Sequence, residues 1–186
     1  SDEEDLVRSA DLVLTTSKPL FDRISRNARR CLMLRNACDY DRFALGGRVP
    51  TELIDLTKPL VGYYGAISDW FDVELAVETA KAHPDKTFVL IGQVWNVDVS
   101  PLKELENVHL LGRRPYEELP SYLEYFDACF IPFKKTDLTI ATNPVKVYEM
   151  LSAGKPIVTI DLPELREVQD LLYIAGSRAE FISKID

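Results

Sequence analysis

Lys146 and Glu149 are the residues of this chain best spaced to hold an anionic, hydroxyl-bearing ligand. They lie in Asn143-Pro144-Val145-Lys146-Val147-Tyr148-Glu149-Met150-Leu151-Ser152-Ala153-Gly154-Lys155-Pro156-Ile157-Val158, which reads as loop, short helix, tight stop and buried strand. Residues three apart share a helical face. The start of a helix offers free N–H groups and partial positive charge, which suit a diphosphate. Lys146 adds a cation there, and Glu149 can accept hydrogen bonds from sugar hydroxyls. The elements that carry the two residues follow from local chemistry. Pro144 suits the first helical position, where a missing N–H is harmless. Val147, Met150 and Leu151 fall on one face and can pack on a sheet. Gly154 can take the left-handed conformation that ends a helix, and Pro156 bars continuation.

The surrounding chain supplies the sheet. From Pro59 onward, short apolar runs alternate with amphipathic segments. Leu60–Tyr64, Thr87–Ile91, Val108–Leu111, Ala128–Ile131 and Ile157–Ile160 read as strands, with a further short one at Tyr173–Ile174. Helices are expected over Asp72–His83, Tyr116–Tyr125, Leu165–Leu172 and Arg178–Lys184. Continuous apolar strands separated by helices imply a parallel sheet covered on both faces, so the fold class is α/β, doubly wound and Rossmann-like. In such sheets ligands bind outside the carboxyl ends of the strands. Gly65, Gly92, Gly112 and the polar loop Lys134–Asn143 all fall at those ends.

Upstream, Ser1 and Glu4 match a capping box, Asp11–Thr16 reads as a strand, Ser17 caps a helix, and Cys31–Arg35 is a second strand. Asp39-Tyr40-Asp41 matches literally the Asp-x-Asp pattern of metal-holding transferases. A cap at Asp39 before Phe43 accounts for it more simply, and no metal site is expected. Gly46 to Lys58, with Gly-Gly and Pro50, reads as a linker.

Composition bounds the function. The 186 residues are 46% hydrophobic and carry a net charge of −8, which argues against a nucleic-acid partner, whose binding face is normally basic. No apolar run is long enough for a membrane span. The acidic start, Ser-Asp-Glu-Glu-Asp, is unlike a signal peptide. Three cysteines with no C-x-x-C pair read as reduced thiols of a cytoplasmic protein.

The stretch around Lys146 resembles the donor-binding helix of GT-B glycosyltransferases of group 1 (family 4-like), which carry Pro-x-Lys-x-x-Glu, small residues, Gly-x-Pro and a valine-rich strand. Ala10–Ser17, Asn36–Phe43, Gly62–Phe71, Leu90–Gly92, Asn107–Pro120 and Asp127–Pro132 resemble further elements of that group, in the same order. The resemblance implies residues 1–45 as the tail of an N-terminal acceptor domain, 46–58 as linker, and 59–186 as the C-terminal half of a GT-B fold. It implies that this half binds a nucleoside-diphosphate-sugar as donor, with no cofactor, for sugar transfer in bacterial surface polysaccharide or glycolipid synthesis. Gly65 would let backbone approach the sugar and phosphates, Arg114 would sit in the turn that meets the base, and Asn143 would lie beside the transferred sugar. Lys146 would neutralise the diphosphate, and Glu149 would hold the ribose. Catalytic residues would lie in the missing acceptor domain. Two departures mark a divergent branch. Ala141 stands where the group has the first of two glutamates, and Ser68-Asp69-Trp70-Phe71 stands where it has a phosphate-clamping Arg and Lys. A GT-B-related sugar-nucleotide epimerase and a non-catalytic flavodoxin-like regulatory domain remain as alternatives. Residues 1–43 carry strands without evident partners, so they are expected to fold back on the sheet or to pair with a second copy.

Overall fold

The computed structural model describes residues 2–186 and holds two parallel sheets. Helix α1 (Asp2–Ser9) leads into strand β1 (Val13–Thr15), helix α2 (Lys18–Ile24) and strand β2 (Cys31–Met33); helix α3 (Tyr40–Ala44) follows. β1 and β2 pair with each other in a sheet of two. Ser17 caps α2 by accepting from the Leu20 amide, and Asp39 caps α3 by accepting from the Arg42 amide. The capping box expected at Ser1 lies outside the described residues.

The larger sheet contains β3 (Leu60–Tyr64), β4 (Thr87–Ile91), β5 (Val108–Gly112), β6 (Ala128–Ile131), β7 (Ile157–Ile160) and β8 (Tyr173–Ala175). Their order is β5-β4-β3-β6-β7-β8, with every pairing parallel. The connecting helices are α4 (Val73–Ala82), α5 (Ser100–Lys103), α6 (Leu119–Tyr125), α7 (Asp137–Ile140), α8 (Val145–Ser152) and α9 (Arg178–Ser183). β3 and β4 are buried along their whole length, as a doubly wound sheet requires of its central strands. Edge-to-face contacts run through the core, with Tyr63 at 4.9 Å from Phe71 and Phe88 at 5.5 Å from Phe130.

Several boundaries differ from the sequence reading. Pro144 is the N-cap of α8 (φ −77°, ψ 114°), one position earlier than expected, and the helix opens at Val145. The Tyr116–Tyr125 helix splits into a 3-10 turn, Tyr116–Glu118, and α6, because Pro120 fits only in a first turn. Leu165–Leu172 is not an α-helix: it belongs to a 3-10 segment, Pro163–Leu171, broken at Val168. The polar loop 134–143 contains α7, closed by a reciprocal Thr136–Thr139 box. Gly154 is left-handed (φ +67°), and the Lys155 amide bonds back to Met150 O at 3.0 Å, which ends α8 as the spacing suggested.

The small sheet does not pair with the large one; its segment folds back onto the large sheet through α3, which packs on α8 and buries Phe43 to 1% exposure. Within the large unit, Asp72 fastens α4 to the far end of the chain. Its carboxylate accepts from the Leu75 amide at 2.9 Å and pairs with Arg178 at 2.8 Å. Asp72→Ala removes both a cap and an ion pair with the exposed Arg178, so the unfolding free energy should fall by about 1–2 kcal/mol. A urea titration checks this as a lower midpoint with unchanged slope.

Candidate functional site

Strand order reverses between β3 and β6, and a ligand crevice is expected beyond the carboxyl ends of those two strands. The loop after β3 is held rigidly there. The Gly65 amide donates to Ile91 O at 2.8 Å, Tyr63 Oη donates to Ala66 O at 2.9 Å, and the Ile67 amide donates to Gln93 O at 2.9 Å. Gly65 has φ +130°, a conformation that L side chains rarely adopt. The loop after β6 bridges back to it: Phe133 pairs with Phe71, and the Lys134 amide donates to Trp70 O at 2.8 Å. Two clefts flank this junction. One of about 390 Å³ runs past Tyr64, Gly65, Gly92, Trp95, Arg113 and Arg114. The other, about 420 Å³, runs past Asn36, Phe133, Leu138, Asn143, Pro144 and Lys146. Trp70 lines both.

Lys146 projects from the first turn of α8 toward the Gly65 loop, so that a Cβ added to Gly65 would meet its ammonium. The ammonium sits 4.3 Å from the Tyr63 ring centre and 4.9 Å from that of Phe133. Among the described residues its hydrogen-bond partner is Tyr63 Oη, at 3.0 Å, and no carboxylate pairs with it. The residue as a whole is half-buried, and its ammonium is enclosed by the two rings and the Gly65 loop. That enclosure pushes its pKa down to about 7, against a smaller upward pull from the Glu149 carboxylate. A cation with two donors left over, beside the bare N-terminal turn of a helix, has the chemistry to donate to an anion's oxygens.

Glu149 lies one turn on, 4% exposed. Its two oxygens accept separately from Tyr64 Oη and Tyr116 Oη, each at 2.8 Å. Tyr64 comes from the buried strand β3, whereas Tyr116 is 44% exposed and lies edge-on to Phe43. Burial and the Glu149 bond together push the Tyr116 phenol up to about 12. Lys146, Gly65 and Glu149 are thus gathered at one end of the sheet. Like Glu149, Asn143 and Arg114 have their polar groups on protein partners. Asn143 Oδ1 accepts from the Asn36 amide at 3.1 Å, and its Nδ2 donates to Tyr148 Oη at 3.0 Å. Arg114 donates to Leu111 O, Tyr122 Oη and Glu52, tying the linker to the sheet. The bond to its own backbone amide, then those from Arg114 and Tyr122, hold Glu52 down at about 2. Among the described residues, exposed Arg113, not Arg114, has its side chain uncommitted along the same cleft.

A family model described as Glycosyl transferases group 1 matches residues 58–186. The chain belongs to the group 1 glycosyltransferases. A protein of Bacillus subtilis (strain 168) that bears the name of a teichuronic acid biosynthesis glycosyltransferase, TuaH, is 29% identical over 173 residues, covering 88% of this chain and 44% of its own. The chain therefore spans less than half the length of this curated relative. Among solved structures, Anabaena HepE in complex with UDP and glucose superposes with a TM-score of 0.68 at 18% identity, covering 97% of this chain and 54% of that one. An E. coli trehalose-6-phosphate structure bound with UDP-2-fluoro glucose gives 0.72 at 12% identity, covering 98% and 54%. These likenesses show the fold: the six-stranded unit is one Rossmann-like half of a GT-B architecture. As a group 1 glycosyltransferase the chain keeps its two departures in plain view. Ala141 is the C-cap of α7 and acts through its backbone, its amide donating to Asp137 O at 3.2 Å and its carbonyl accepting from Ser17 Oγ at 2.6 Å. Trp70 stands in the loop where the group clamps phosphate, on the wall between the two clefts. The sequence reading missed Tyr63, Tyr64 and Tyr116 as partners of the site. The signal available was a pair of phenols closing an otherwise apolar strand directly before Gly65.

Proposed function

We propose that this chain is the donor half of a glycosyltransferase that moves a sugar from a nucleoside-diphosphate-sugar to an acceptor in bacterial surface polysaccharide or glycolipid synthesis. The single observation that carries the reading is Lys146: an enclosed, carboxylate-free ammonium at the start of α8, under the Gly65 loop, at the switch point of a group 1 glycosyltransferase. Its role is to hold the diphosphate as leaving-group charge develops, together with the free amides of the helix start. The base and ribose take the cleft past Tyr64, Gly65 and Arg113. The ribose takes the Glu149 oxygen now held by Tyr116, whose exposed ring can swing aside. Uridine diphosphate is the first probe to try, because the solved neighbours hold UDP or a UDP-sugar. The name of the Bacillus relative supports a surface-polymer product.

The division into a tail (1–45), a linker (46–58) and a donor domain (59–186) belongs to the same proposal. Leu12, Leu14, Leu32 and Leu34 on and beside the small sheet are exposed, which supports an acceptor domain, or a second copy of the chain, seated against them. Acceptor recognition and any catalytic base then come from that domain, in the cytoplasm.

Calorimetric titration of the intact protein with uridine, guanosine and thymidine diphosphates tests the reading, and binding of none of them would sink it. Glu149→Gln sharpens the test. It keeps the side-chain volume but weakens one charge-assisted hydrogen bond to ribose, so affinity should fall about tenfold for nucleoside and diphosphate alike. A loss confined to the diphosphate would move Glu149 away from the ribose.

A further inference from the structure

A buried polar junction joins the two sheets where their carboxyl edges meet. Glu164, 2% exposed, gathers three donors from distant parts of the chain. Its Oε1 accepts from the Lys18 amide, the first of α2, at 2.6 Å. Its Oε2 accepts from Arg35 Nε at 3.0 Å and from Asn143 Nδ2 at 3.3 Å. Asn143, equally buried, returns the grip on the tail: its Oδ1 takes the Asn36 amide, and its backbone carbonyl takes Asn36 Nδ2 at 2.6 Å. A carboxylate at the start of α2 also meets the positive end of that helix. With each partner answered, the junction is stiff, and loss of one donor leaves the others poorly matched.

The chain runs from this junction directly into the ligand site. Asn143 is followed by Pro144, whose ring fixes φ, and then by Val145 and Lys146 in the first turn of α8. No slack separates the junction from the ammonium, and Asn36 lines the same cleft as Lys146. We propose that Glu164 and Arg35 are positioning residues for the diphosphate site: with Asn143 they set where α8 begins, and so where the Lys146 ammonium stands. This rests on the donor-site reading above for the identity of the ligand, but not for the mechanical coupling. It gives Asn143 a task other than contact with the transferred sugar. It also links the seating of residues 17–36 to donor binding, and by reciprocity donor binding to that seating.

The test uses the intact protein and Arg35→Ala, whose guanidinium is outside both clefts, with Glu164→Gln as the second variant and Arg35→Lys as the conservative control. Calorimetry measures uridine and uridine diphosphate, and hydrogen exchange follows the peptide 139–151. Arg35→Ala is expected to weaken uridine diphosphate about tenfold, to leave uridine within about twofold, and to speed exchange across 139–151 about tenfold. Arg35→Lys should recover part of each effect, because it restores a donor. Equal losses on uridine and uridine diphosphate would reduce the junction to a general support and overturn the proposal. Unchanged affinity with unchanged exchange would overturn it as well. If the wild-type protein binds neither ligand, the donor-site reading falls, and exchange alone decides the coupling: faster exchange in Arg35→Ala sustains it, unchanged exchange ends it.

Discussion

Lys146→Ala should weaken binding of a nucleoside-diphosphate-sugar by about 10- to 100-fold while leaving the bare nucleoside nearly unchanged. A charge-assisted hydrogen bond to a phosphate oxygen contributes about 1.5–3 kcal/mol, and Lys146 has donors to spare for two. Rising salt should narrow the gap between variant and wild type. The same residue predicts a pH dependence. Enclosure between the Tyr63 and Phe133 rings lowers its pKa to about 7, with Glu149 the carboxylate that opposes the shift. The diphosphate prefers the ammonium, so affinity should fall as pH rises above about 7, by up to about tenfold per unit. The intact nucleotide-sugar is the appropriate probe, because its phosphates are diesters and do not titrate in this range. Lys146→Arg, charged at every pH used, should flatten the profile. A wild-type profile that is flat from pH 6.5 to 9 would remove the lysine from the phosphates. Stability should respond in the opposite sense. The folded chain binds fewer protons at this amine than the unfolded chain, whose lysine titrates near 10.5, so the fold gains stability as pH rises from about 7 toward 10.5. Lys146→Met should therefore raise the melting temperature most at pH 6 and least near pH 10.

Gly92→Ala should damage fold and site together. A Cβ at Gly92 would overlap the carbonyl oxygen of Gly65, which is backbone in a loop whose Gly65 amide is tied to Ile91 O, so no flexible side chain is there to yield. The collision must be relieved by parting the ends of β3 and β4, which costs about 3 kcal/mol as an overpacking change. For a chain of this length that corresponds to a drop in melting temperature of about 6–12 °C. The parting also moves the Gly65 loop away from Lys146, so affinity for uridine diphosphate should fall by at least about tenfold even in the fraction that remains folded. Gly65→Ala makes a useful contrast. Its added Cβ meets the flexible end of Lys146 rather than backbone, although φ +130° strains any L residue there. Its effect on affinity should exceed its effect on stability. A Gly92→Ala protein with wild-type melting and binding would show that the two loops are not packed as described.

The sequence alone was enough for the large sheet. Four of its strands have the bounds expected from their apolar runs, and β5 and β8 each run one residue further, to Gly112 and Ala175. This legibility has a physical origin. A strand covered on both faces must be apolar throughout, and chain leaving such a strand beside a ligand crevice needs glycine, so burial and backbone freedom are written into adjacent residues. Gly154 and Pro156 likewise ended α8 by local chemistry alone. Short elements were harder to read. α7 was hidden in a polar loop because four residues carry no periodicity, and what closes it is a pair of threonines.

Tertiary structure alone decided the partners of the polar side chains. Lys146 meets Tyr63 across 83 residues, Glu149 meets Tyr64 across 85, Arg114 meets Glu52 across 62, and Asn143 meets Asn36 across 107. Residue type and local spacing marked Lys146 and Glu149 as able to bind a ligand, and the resemblance to the group added Arg114 and Asn143. Whether a hydrogen-bonding group is free for one depends on what the fold brings within about 3 Å of it. That is a property of the packed chain, and it is why Lys146 keeps donors in reserve while the Asn143 amide and the Arg114 guanidinium are committed to the protein.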